Sequence, residues 1–436
     1  MKTSETGRPT RVRWKILVLL VGFSVTSYIM RVNISIAGDP IMRESHLTPV
    51  QLGWIFSAFG FSYTLFMTPA GIYLDRYGTR IILAACGISW ALLSLFTAIT
   101  PNIIFTSTMG IIISLATVRA VLGICQTPVF PGGAKAISEW FPDRERAFAT
   151  GCVQTGALLG TAVTAPLITY LMVHMGWRQA MVMTSVLAPS LALVWLYYVT
   201  DRPHAHPGIN AAELAVIGLT PAEREKLPGH ELKTILKSGQ AWMLTIAYGC
   251  ESYASYMFIW WIFIYLVQVR KFGVLGSGFI ASIPFIVATI TTPLAGSISD
   301  KLTLRLGPRR GRRIVPLVTL PAAAILISFG ARVPGPTAAV IILSLGAALS
   351  LAAEGPTWAT MSEMSGPSAG AATGFVNTGS NLGGTLSTLL TPWIAVHFSW
   401  PIAFGVASFF ALAGAALWAG VDATHRLGKP TVPAVE

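Results

Sequence analysis

Apolar stretches about as long as a lipid bilayer is thick recur along this whole chain, and no other feature constrains its fold so strongly. They cover residues 14–37, 51–74, 80–100, 106–138, 147–172, 178–200, 242–268, 275–298, 313–331, 336–363, 369–397 and 400–421. Most are near the ~20 residues that a helix needs to cross the hydrocarbon core. The expected class is therefore an all-α polytopic membrane protein with twelve transmembrane helices. Of the 436 residues 53% are hydrophobic and only 11% are charged, too apolar a mixture for a soluble domain. The first apolar run is longer than a signal-peptide core and has no convincing cleavage site, so it is expected to be retained as the first helix.

A net charge of +12 would suit a nucleic-acid partner, but its distribution argues for a membrane. Assigned to alternate loops, 23 of the 30 Lys and Arg residues fall on the side of the amino terminus, 5 on the other side, and 2, Arg31 and Arg119, within the membrane. The positive-inside rule then predicts cytoplasmic termini. The four cysteines, Cys86, Cys125, Cys152 and Cys250, lie in or at the edge of predicted spans, and neither a disulfide framework nor metal-ligand spacing is visible. With no nucleophile–base, HExxH or phosphate-loop pattern, neither an enzyme nor a cofactor is expected.

The chain repeats itself. RAFATGCVQTGALLG at 146–160 aligns with AGAATGFVNTGSNLGG at 369–384 at a constant offset, and VHxxW at 173–177 recurs at 396–400. The charged turn GIYLDRYGTR after the second span has its counterpart in GSISDKLTLRLG after the eighth. Two six-helix halves related by duplication follow. The expected organisation is a leader at 1–13, a first bundle at 14–200, a cytoplasmic linker at 201–240, a second bundle at 241–421 and a tail at 422–436. Dense glycines in the fifth and eleventh spans predict close helix packing.

Arg119 stands inside an apolar run of membrane length, in RAVLGICQTPVFPGG, and Arg31 inside TSYIMRVNISIA. A cation near the centre of a membrane helix costs roughly 2.5 to 3.5 kcal/mol on insertion scales, so a partner, a wet cavity or an anionic ligand is expected beside each. Gln126, seven residues after Arg119, lies on much the same helical face.

The two halves, the GIYLDRYGTR turn, the Arg-centred fourth span followed by WFPDRERAFATG, and FVNTGSNLGG together resemble the major facilitator superfamily, and more narrowly its anion:cation symporter branch. The resemblance implies alternating access around a midplane site for an organic anion. It makes Arg31 and Arg119 partners of the substrate carboxylate, with Tyr28, Tyr63, Asn377 and Asn381 as polar lining. A planar guanidinium suits a carboxylate bidentately. Against these roles stand a structural ion pair or carbonyl clamp for either arginine, plain packing for Tyr63, and a helix–helix hydrogen bond for one of the asparagines. Asp75, Arg76, Arg80 and Asp300 read as a latch between cytoplasmic helix ends, or as charge that only sets orientation.

The departures are informative. Where proton-coupled members of that branch commonly carry Asp before the first-span Arg, this chain has Met30; where they carry Glu in the fourth span, it has Gln126. The repeat sets QTPVF at 126–130 against EGPTW at 354–358, which makes Glu354 the counterpart of Gln126 and the candidate coupling acid, or else a structural pair for an arginine. Glu251, near the start of the seventh span, is the other candidate acid and is read first as a solvated or helix N-terminal charge. The expectation is a monomeric secondary transporter of a sugar acid or other carboxylate in the bacterial inner membrane, coupled to protons or another cation. Potential-driven uniport, anion exchange and a non-transporting anion sensor are the alternatives.

Overall fold

The computed structural model describes residues 8–218, 235–365 and 369–425. The first half comprises α1 (Val12–Ser45), α2 (Pro49–Ile99), α3 (Thr108–Gln126), α4 (Val129–Trp140), α5 (Asp143–Met175), α6 (Trp177–Ser185) and α7 (Leu187–Tyr198), and α8 (Ala211–Ile217) lies in the linker. The second half comprises α9 (Gly239–Gln268), α10 (Val274–Leu306), α11 (Pro308–Gly330), α12 (Pro336–Ala352), α13 (Glu354–Ser365), α14 (Ala369–His397) and α15 (Trp400–Trp418). Among the described residues no strand forms beyond an isolated bridge between Pro101 and Phe105.

These elements make six spans in each half. The long α2 contains two of them, meeting at Gly78, whose backbone at φ 80 and ψ 166 lies where a side chain would clash. Gly307, between α10 and α11, has nearly the same dihedrals at φ 80 and ψ 162, so the duplicated turn is built twice by the same device. In the fourth span Pro128 interrupts the helical ladder, and the freed carbonyls find side chains: Trp90 Nε1 donates to the Cys125 carbonyl at 2.9 Å and Thr127 Oγ1 to that of Ile124 at 2.6 Å. In the tenth, ahead of Pro356, the Thr292 hydroxyl serves the Leu351 carbonyl at 3.2 Å. Eleven described spans are long and apolar enough to cross a membrane by composition alone. The remaining long helix, α14, carries Asn377, Ser380, Asn381 and Thr385 and packs against α9, where a Cβ on Gly249 would come within 2.9 Å of the Gly379 carbonyl.

The linker and the chain end meet the starts of α1 and α9. Glu213 of α8 accepts the backbone N–H groups of Val12 and Arg13 at 2.9 and 3.1 Å, and Gln240 accepts that of Asp422 at 2.8 Å. This face is the terminal side. On the opposite side the halves are sealed together. Gln268 donates to Asp39 at 2.9 Å, Phe56 lies 5.0 Å from Trp260 between ring centroids, and a Cβ on Gly53 would meet Pro392 at 2.9 Å. Toward the terminal side a Cβ on Gly71, Gly151, Gly296 or Gly374 would meet nothing within 4 Å, and Ile72 and Tyr73 are exposed. The halves therefore part there, and a cavity opens between them.

Candidate functional site

The cavity is walled by α1, α2, α4 and α5 on one side and by α9, α10, α12, α13 and α14 on the other. Arg31 projects into it from α1, with its guanidinium carbon 4.5 Å from the ring centroid of Tyr28 and 4.8 Å from those of Phe59 and Tyr63. These aromatic faces hold the cation without neutralising it. Its Nε donates to Gln126 Oε1 at 3.3 Å, and Gln126 Nε2 in turn donates to the Ser27 carbonyl at 3.0 Å. An amide thus stands where a carboxylate would cancel the charge.

Tyr28 and Tyr63 line the same wall, Tyr63 stacked on Phe59 at 5.7 Å. Asn377 and Asn381 face them from α14; Asn381 Nδ2 donates to the Asn377 carbonyl at 2.9 Å, and both amides lie within 3.9 Å of the Met67 sulfur across the cavity. Glu354 opens α13 just after the break in the tenth span and accepts from the Tyr248 hydroxyl at 3.1 Å. The repeat is thus visible in the site: the polar residue at each break, Gln126 or Glu354, is bound by a side chain of the first helix of its own half.

Arg119 is placed elsewhere. It is fully buried between α1, α2 and α3, with Nη1 3.3 Å from the Met30 carbonyl and Nη2 3.4 Å from both Asn33 Oδ1 and Thr97 Oγ1. Its Nε and the neighbouring Asn33 Nδ2 have no partner. Every group around it that accepts is neutral, and it does not line the cavity in this conformation. Along α3 it is seven residues from Gln126, about 10 Å nearer the sealed side than the position Arg31 reaches. Met30, between the two guanidiniums, accepts from the Ser94 hydroxyl.

The residues read as a latch make contacts inside each half. Arg80 donates to the Leu196 carbonyl at 2.7 and 2.9 Å, and its backbone N–H and the Thr79 hydroxyl both meet Asp201 at 2.9 Å. Arg76 is exposed over the Tyr77 ring. In the second half Asp300 pairs with Arg312, which also pairs with Glu363, both at 2.5 Å. The side chain of Asp75 lies outside the described residues.

Glu251 corrects the sequence reading. α9 begins at Gly239, so Glu251 lies three turns inside the helix rather than at its solvated start; it is 2% exposed and lines the cavity. Tyr248, Ser252, Ser255, Tyr256 and Ile259 share that wall, and their spacing of three and four residues is the available signal, one helical face richer in polar groups than a lipid-facing one.

Two pseudo-symmetric six-helix bundles around a central polar cavity define a class, the two-bundle membrane transporter scaffold. Residues 19–369 match the model of the Major Facilitator Superfamily, and the chain belongs to that family. It is a transporter rather than an enzyme. It is 31% identical over 327 residues to the "probable galactarate/D-glucarate transporter GudP" of Escherichia coli (strain K12), covering 72% of each chain. It is 27% identical to the "probable sulfoacetate transporter SauU" of Cupriavidus necator, over 87% of this chain and 86% of that one, and 28% identical to the D-galactonate transporter of Escherichia coli O6:H1, over 94% and 96%. Among solved structures, a bacterial homologue of the human lysosomal transporter Spinster superposes with a TM-score of 0.77 at 17% identity, covering 94% of this chain and 97% of that one, a likeness of fold.

Proposed function

We propose that this protein moves a small organic anion, a sugar acid or a related carboxylate, across the bacterial inner membrane as a monomer by alternating access, coupled to protons or another cation. The observation that carries the reading is Arg31: a buried guanidinium, clasped by aromatic rings and an amide instead of an acid, at the cavity between the halves. Such a group is short of a negative charge, and a substrate carboxylate supplies it. The relatives named for galactarate, glucarate, galactonate and sulfoacetate carry ligands of that chemistry. Tyr28, Tyr63, Asn377 and Asn381 offer hydroxyl and amide groups to the rest of the substrate, and Glu354 is the coupling acid. Arg119, held by weak neutral contacts toward the sealed side, serves the anion in the opposite conformation. With both termini in the cytoplasm the open side faces inward, and the clusters around Arg80 and Asp300 rejoin across the halves when that side closes.

Thermal stabilisation of the purified protein by galactarate, D-glucarate, D-galactonate and sulfoacetate, beside neutral sugars, tests this. A ligand at a hundred times its Kd adds about 2.7 kcal/mol. At least one acid is expected to raise the melting temperature of the wild type and not of Arg31→Gln; stabilisation by neutral sugars alone, or an equal response in the variant, removes the anion site. A second reading, potential-driven uniport or exchange, draws on Met30 and Gln126, neither of which can carry a proton. Uptake that ignores a protonophore at clamped membrane potential would favour it.

A further inference from the structure

Glu251 and Glu354 face one cavity from neighbouring helices, and their hydrogen-bond surroundings differ in kind. Glu354 receives the Tyr248 hydroxyl, a bond that a charged or a neutral carboxyl can accept. Glu251 makes its contact with the Thr357 hydroxyl, 3.5 Å from Oε2, but the single proton of that hydroxyl is directed at the Ala353 carbonyl at 2.9 Å. Thr357 therefore gives Glu251 at most one long hydrogen bond, in competition with that carbonyl. An ionised carboxylate there, 2% exposed, has that one long contact and no ion pair among the described residues. A protonated one completes the geometry by donating to Thr357.

The other charged and titratable groups facing the pair are few. α1 contributes Arg31 and Tyr28, α2 Tyr63, and α9 itself Tyr248 and Tyr256; α10 and α12 present Phe285 and Leu351, and α14 presents amides and a hydroxyl. One cation thus faces two acids. A carboxylate docked on Arg31 would leave the cavity with a surplus of negative charge unless the pair takes up a proton, and charge of one sign without a partner is expensive once the cavity closes over it. Acid binding and protonation of the pair are linked through that shared field.

We propose that Glu251 and Glu354 form the proton-carrying pair of this transporter, with Glu251 holding its proton in the conformation described and Glu354 taking one up when an acid docks on Arg31. The inference rests on the organic-anion reading above and moves the coupling step into the second half of the molecule. Each carboxylate takes a proton from water on one side of the membrane and returns it to water on the other as the substrate leaves.

The test uses the full-length protein in liposomes containing a trapped pH dye, with the four acids of the panel above, and compares wild type with Glu251→Gln and Glu354→Gln. Wild-type uptake is expected to rise roughly tenfold with an acidic exterior and to acidify the lumen. In Glu251→Gln the stimulation and the acidification are lost, while counterflow, which needs no proton gradient, stays within about threefold of wild type. Wild-type proton movement in that variant overturns the proposal and leaves the transport reading standing. Absence of counterflow of any of the four acids by the wild type removes the transport reading itself. If an amino acid is carried and its binding alone is lost in Glu251→Gln, the pair recognises an ammonium group and the proposal falls. Infrared difference spectroscopy on the purified protein decides independently of transport and of how well the variant assembles. A protonated-carboxyl band present in wild type and missing in Glu251→Gln supports the pair; its absence from wild type at neutral pH refutes it.

Discussion

A guanidinium can be buried in two ways in this protein, and the two arginines illustrate both. Arg31 is clasped by three aromatic rings and faces a cavity, whereas Arg119 is enclosed by carbonyl, amide and hydroxyl oxygens at 3.3 to 3.4 Å, with one nitrogen unmatched. A buried charge without a counter-charge is a burden on stability, and an apolar side chain of similar volume often relieves it by about 1 to 4 kcal/mol. Arg119→Met is therefore expected to melt at the same temperature as wild type or higher while transporting poorly. A melting temperature several degrees lower in a thermal scan would make Arg119 a structural clamp. Arg31 could be singled out from the chain as a cation in an apolar run and Glu354 through the repeat, whereas Tyr28, Tyr63 and Asn381 were legible through the family resemblance, with Asn377 one turn before Asn381 on the same face. Whether a conspicuous residue faces the cavity or the interior of its own bundle could not be read. Arg119 and Gln126 share a helical face, yet only Gln126 reaches Arg31, because seven residues of rise set the two about 10 Å apart along α3.

At the level of elements, the breaks and the start of α9 were legible and the direction its face takes was not. Pro128 and Pro356 mark the interruptions directly, because a missing N–H is a local fact. The start of α9 at Gly239 lies only three residues from the expected 242, so the boundary was legible; what the chain did not reveal is that Glu251, more than two turns in, faces the cavity instead of solvent. The short helix α8 gives an element-scale prediction. Burial pushes the Glu213 carboxyl up, but the Thr10 hydroxyl, the backbone N–H groups of Val12 and Arg13 and the Arg13 guanidinium outweigh it and hold it below the ordinary glutamate value. A carboxyl held low contributes its stabilisation above the unfolded value of about 4.3 and loses it as pH falls through the lower folded value. Glu213→Gln should be less stable than wild type by about 1 to 3 kcal/mol near neutrality, with the two melting curves converging below about pH 4. A gap that does not narrow at all as the solution is acidified would assign the effect to packing instead of charge.

For the whole molecule, the seal between the halves is made of small residues pressed against backbone and ring atoms. A Cβ on Gly53 would already lie 3.1 Å from the Thr388 carbonyl and 2.9 Å from Pro392. Gly53→Trp should wedge that side open and shift the population toward the opposite conformation. Spin labels at Ile72 and Ser297, toward the terminal-side ends of the second and eighth spans, should then lie closer together than in wild type; an unchanged distance distribution would mean that the two sides do not exchange closure.

The bond between Glu213 and the start of α1 also has an order in time. The donors at Val12 and Arg13 are synthesised about 200 residues before their acceptor. While the ribosome makes the rest of the first half, the amino end of α1 waits uncapped, and only when the linker emerges does a carboxylate arrive to close it. The first bundle is thus completed by a residue outside its own spans.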